Sequence, residues 1–172
     1  MKISYLNEWL LFLLLIFLQV MLLNRITLFG VATPVLYHYF LLKLPVGRNP
    51  FYGIIMGFLM GLIIDVFLNT PGMNAAATTI VAAFRRPIIS LFFSRVEYED
   101  FVPGIYTAAG PFVRFTVFTV VLHLTLLFFI ESFTLFNLMN TLLRIVSSSL
   151  ISVVLILALD SLMYKNKAGE QT

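Results

Sequence analysis

Long apolar blocks, separated by short polar clusters, set the pattern of this chain. An apolar stretch of about 20 residues is what a helix needs to cross the hydrocarbon core of a bilayer. The pattern predicts six such helices, over residues 8–23, 34–44, 51–68, 73–93, 106–130 and 138–163. Asn24-Arg25 ends the first, and Pro34 suits the opening turn of the second, which is short. The first block has no strongly basic start and no small-residue cleavage site, so it reads as a retained helix. Pro45 to Pro50 is the clearest loop. The tight turn Asn69-Thr70-Pro71-Gly72 folds the third and fourth helices into a hairpin. A charge-dense loop at 94–105 and a polar, mobile tail at 164–172 complete a single membrane domain spanning 1–172.

Composition supports this reading. The 172 residues are 60% hydrophobic and 11% charged, against about 45–50% and about 25% in soluble domains. Too little polar surface exists to cover a soluble globule. The expected class is an all-α integral membrane protein. The net charge of +3 does not indicate nucleic acid, because the basic residues flank the apolar blocks. With the N-terminus inside, the inner segments hold Lys2, Lys43, Arg48, Arg85, Arg86, Arg95, Lys165 and Lys167, and the outer turns hold Arg25. That bias predicts both termini in the cytoplasm. Cysteine is absent, which excludes disulfides and thiolate chemistry.

Within the third block, Gly53, Gly57 and Gly61 recur every fourth residue and Asp65 continues the interval. On a helix the four stack on one side and offer a smooth groove for another backbone. Asp65 is costly inside a membrane and marks a functional or structural site. The sixth block places Arg144, Ser148 and Ser152 on one face. Asp65 sits about 6 Å, and Arg144 about 10–13 Å, from the outer ends of their helices; these depths predict an Asp65–Arg144 pair. Arg114, Asp160 and Glu8 lie at similar inner depths and form a second cluster or reach separately for the interface. Gln19 predicts a local helix–helix hydrogen bond. His38, between Tyr37 and Tyr39, reads as an interfacial or packing residue. Asn69, Asn74 and Ser148 are candidates for lining an outward pocket. Arg95, Glu97, Tyr98, Glu99 and Asp100 form either a solvated loop or a docking site for a soluble partner.

Catalytic constellations are missing from the sequence. His38 and His123 are far apart and have no HExxH-like context, Ser147–Ser149 have no neighbouring base, and there is no P-loop. The expectation is a protein that is not an enzyme and uses no cofactor or metal.

The layout resembles the MreD family of rod shape-determining proteins. The resemblance rests on Gln19, on Thr33-Pro34, on the run from Gly57 to Ala75 with its G-x3-G-x3-D pattern and Pro71-Gly72, and on Ala83-Phe84-Arg85-Arg86. It implies a multi-pass protein of the bacterial inner membrane with the six-helix fold of the S component of energy-coupling-factor transporters. It also implies an MreC-like partner, an MreB-like filament and the elongation synthases of the rod complex, a SEDS glycosyltransferase and a class B penicillin-binding protein. On that basis the chain is expected to be a scaffold of cell-wall elongation that helps maintain rod shape, with a partner helix on the glycine face or the serine face. The alternative is a small-molecule binder, S-component-like, taking a vitamin or a lipid-linked ligand near Asp65, Asn69, Asn74 and Arg144.

Overall fold

The computed structural model describes residues 5–23, 32–93, 101–132 and 138–169. The docking segment Arg95, Glu97, Tyr98, Glu99 and Asp100 lies outside the described residues, as does Arg25. Six helices follow in order: α1 Tyr5–Met21, α2 Tyr39–Lys43, α3 Pro50–Leu68, α4 Met73–Phe92, α5 Ile105–Glu131 and α6 Leu138–Gly169. Four of them, α3, α4, α5 and α6, are long and apolar enough to cross a membrane. The α1 helix is apolar and shorter, with 17 residues. Side chains of α1, α3, α4, α5 and α6 close around one buried cluster that includes Phe12, Met60, Ile89, Phe112, Leu124 and Ile156.

The largest departure from the sequence reading is the second block. Only its last part is α-helical. Residues 32–36 run without helix, and turns closed by bonds from Tyr39 N–H to Leu36 O and from Phe40 N–H to Tyr37 O lead into α2. Pro34 therefore sits in non-helical chain rather than at a helix start. Yet this segment is among the most enclosed parts of the described residues. Tyr37, Tyr39, Phe40, Leu41, Leu42 and Leu44 are each at most 2% exposed. Apolar length alone could not distinguish a lipid-facing helix from a strip wrapped by protein.

Three smaller differences have local causes. In α5, Ala108 has φ −162° and ψ 83° and breaks the helix three residues before Pro111. A helical proline removes an N–H and clashes with the preceding turn, so it sets such kinks. The α6 helix continues to Gly169, so most of the expected loose tail is helical. Asn69 adopts the left-handed conformation at the end of α3, with φ 56° and ψ 40°. That makes it a helix-ending residue.

A candidate polar seam between the hairpin and the buried segment

The glycine ladder is graded. A Cβ on Gly53 would only touch Leu44 Cδ1, at 3.6 Å. One on Gly57 would press on Ala82 Cβ at 3.2 Å. One on Gly61 would fall 2.6 Å from Ala75 Cα, inside the opposing backbone. The face thus seats α4 of the same chain and, at its Gly53 end, Leu44. It is not an open groove.

Asp65, one turn beyond Gly61, completes the join. Its Oδ1 accepts the Asn74 N–H at 2.9 Å, the Asn74 Nδ2–H at 2.9 Å and the Thr70 hydroxyl at 2.8 Å. Its Oδ2 accepts the Ala75 N–H at 2.9 Å. The first N–H groups of a helix have no partner within it, and they favour a negative charge. Gly72, which precedes α4, has no side chain to cap them. Asp65 performs that task from the neighbouring helix. The expected Asp65–Arg144 pair is therefore not formed. Arg144 instead pairs with Glu131 at 3.0 Å and lies over the Phe128 ring.

From Asp65 a directed chain of hydrogen bonds enters the core. Because Asn74 gives its amide N–H to the carboxylate, its Oδ1 faces the other way and accepts the Tyr37 hydroxyl at 2.8 Å. The Tyr37 oxygen is 2.9 Å from His123 Nε2. With the Tyr37 proton committed to Asn74, His123 is the donor, which fixes its tautomer. His38 stacks on His123 with ring centroids 4.8 Å apart. So His38 is a core residue, 1% exposed, and the two histidines that are distant in sequence meet. Both ring nitrogens of His38 are without a hydrogen-bond partner among the described residues.

The remaining intramembrane polar residues serve the non-helical segment. Gln19 accepts the Leu36 N–H at 2.8 Å and donates to Pro34 O at 3.0 Å. Ser148 accepts the Thr33 N–H at 3.0 Å, and Ser152 accepts the Val35 N–H at 2.8 Å. Arg85 donates through Nε to Leu41 O at 2.6 Å and through its terminal nitrogen to Leu44 O. At the other end, Tyr39 donates to Asp160 Oδ1 at 2.7 Å and Lys43 pairs with Asp160 at 2.7 Å. Buried backbone that is not helical must find such partners, because each unmet group in a water-free interior costs several kcal/mol. Ser148, Ser152 and Asp160 lie on one stripe of α6 at multiples of four residues, so the segment is pinned along about 18 Å of that helix.

These placements revise several expectations. Gln19 binds the irregular strip rather than a neighbouring helix. The inner trio of Arg114, Asp160 and Glu8 does not assemble: Asp160 holds Lys43 and Glu8 holds Arg48 at 2.6 Å. Arg114 stays exposed on α5. Of the three expected pocket residues, only Asn74 lines the cavity at the hairpin-turn end of the bundle. This cavity, of about 170 Å³, is also lined by Gln19, Thr33, Tyr37, Thr70, Glu131 and Arg144. Asn69 caps α3, and Ser148 is occupied by Thr33. A second cavity, of about 330 Å³, lies beside Tyr39, Lys43, Tyr106, Thr107 and Asp160.

No protein-family model, curated protein or solved structure matches this chain.

The polar seam holds the fold's irregular part in place. Sequence reading missed Arg85, Tyr37 and His123 as members of it. The four-residue spacing of Ser148 and Ser152, resumed after the apolar Ile156 by Asp160, was the visible signal, since a membrane helix has no use for buried polar positions unless something polar lies against them.

Proposed function

We propose that the chain is a non-enzymatic scaffold of the MreD type in the bacterial inner membrane. It crosses six times with both termini in the cytoplasm, in an arrangement like that of an S component. The α1 helix, at 17 residues, is about 25 Å long, and the strip at 32–44 lies along α6, so these two would supply the crossings additional to the four long helices. The scaffold binds an MreC-like partner and works with the elongation synthases and an MreB-like filament in rod-shape maintenance. The observation that carries the reading is what the resemblance-bearing run does here. Gly57, Gly61, Asp65 and the Pro71-Gly72 turn form one self-contained joint in which the acid binds two backbone N–H groups of α4. Such a joint stiffens a body on which others assemble. Because chain elements fill the glycine and serine faces, the partner surface lies on the lipid-facing sides of the helices. A tagged chain purified from native membranes should bring down a bitopic MreC-like protein and the synthases. Recovery of transporter ATPases in their place would contradict the scaffold.

The cavity at the hairpin-turn end favours a second reading, a binder of a small polar ligand or a lipid-linked precursor. Its lining mixes Gln19, Asn74 and Arg144 with apolar walls, the usual make-up of a ligand site. A thermal-shift screen with vitamins and lipid-linked wall precursors separates the two readings, because the scaffold alone predicts no shift.

A further inference from the structure

Arg114 is a charged side chain that the polar seam leaves unused. It is exposed on α5 and makes no ion pair, hydrogen bond or ring contact among the described residues. It lies six residues beyond the break at Ala108, about 9 Å along the helix that follows. An arginine at that depth reaches the headgroup level with its guanidinium while its stem stays in hydrocarbon.

Arg114 also stands at one end of a lipid-facing groove. The groove, of about 540 Å³, is walled by Val117, Phe118, Val121 and Leu122 of α5 and by Phe92 of α4. Its wall continues from Arg114 to Thr125, about 16 Å further into the membrane. On the other side of the same two valines, Val117 and Val121, lies a second apolar groove of about 250 Å³ against Ile145, Leu150 and Val153 of α6. The arrangement is one cation at the headgroup end and two apolar channels parting around a ridge.

We propose that this surface binds an anionic diacyl phospholipid, its phosphate on Arg114 and its two acyl chains in the grooves on either side of the Val117–Val121 ridge. Charge complementarity selects the phosphate: a guanidinium at a membrane interface has anionic lipid as its most abundant counter-charge. The doubled groove selects two chains over one. The order of features along α5, cation first and apolar wall deeper, matches the order along a phospholipid. The inference is independent of the scaffold reading and of which leaflet contains this end of α5.

The test is native mass spectrometry of the full chain, released from membranes and equilibrated with equimolar phosphatidylglycerol and phosphatidylcholine of matched chains. Wild type should retain phosphatidylglycerol about fivefold over phosphatidylcholine, the preference that one interfacial cation provides. Arg114→Gln should abolish the preference, and Arg114→Lys should keep most of it. Val121→Trp, which puts a bulky ring on the ridge between the channels, should lower retention of both lipids. Equal retention by wild type, or an unchanged preference in Arg114→Gln, overturns the proposal. Displacement of phosphatidylglycerol by a single-chain polyprenyl phosphate overturns the two-groove assignment. If a photo-reactive residue replacing Phe118 captures a protein rather than lipid in native membranes, a partner helix covers the groove and the proposal fails.

Discussion

The α3–α4 hairpin and the buried strip at 32–44 meet the same demand in opposite ways. Every backbone polar group in a water-free interior needs a partner. The hairpin meets most of that need within its own helices, and one of its own side chains, Asp65, serves the open N–H groups at the join. That leaves its contact face free to be smooth, and glycine supplies the smoothness. The strip has no helical ladder over 32–36, so it draws side chains from α1, α4 and α6. A regular element is stabilised by close packing, whereas an irregular one depends on polar residues held by its neighbours.

Substitutions can separate these two modes. The largest effect is expected at Gly61. Gly61→Leu drives a side chain into the Ala75 backbone, and should cost at least about 3 kcal/mol, or prevent folding, in reversible unfolding in micelles. The next largest is Asp65→Ala, which strips partners from two buried N–H groups and should cost about 2–3 kcal/mol by the same assay. On the strip, Ser148→Ala and Ser152→Ala should each cost about 1 kcal/mol. Their double variant should depart from additivity, because both hydroxyls hold one short segment. Smallest of all, and opposite in sign, is Gly53→Ala. With only an ordinary contact to Leu44 Cδ1 awaiting a Cβ at Gly53, alanine should stabilise α3 by about 0.5–1 kcal/mol. If Gly53→Ala and Gly61→Leu had equal effects, the graded ladder would be wrong.

His38 sharpens the comparison differently. Its two ring nitrogens lack partners in a tightly closed core. Replacing an unsatisfied buried polar group with an apolar one of similar shape is neutral or stabilising. His38→Phe should therefore leave stability equal or raise it by about 1 kcal/mol. A clear loss would mean that the imidazole has a bonding role in the membrane.

The hairpin was legible in the sequence because its partners are near neighbours. Gly61, Asp65, Pro71-Gly72 and Asn74 fall within fourteen residues, and four-residue spacing alone puts the first two on one face. What was not legible was the direction of Asp65. Comparing depths suggested Arg144, whereas the nearer N–H groups of Asn74 and Ala75 took the carboxylate. The strip was misread because its determinants are remote. Ser148 and Ser152 bind residues 115 and 117 positions away, and Tyr39 binds Asp160 121 positions away. Apolar composition at 34–44 recorded burial correctly but could not report the form of the backbone. The meeting of His38 with His123 depends in the same way on the path of the strip.

The central claim is that the strip is non-helical backbone kept dry by side chains from other elements. Amide hydrogen exchange of the chain in nanodiscs tests it most directly. Thr33, Val35 and Leu36 should exchange as slowly as amides in the middle of α3, and Ser152→Ala should release Val35 selectively. Fast exchange at all three in the wild type, at the rate of an open loop, would contradict the account.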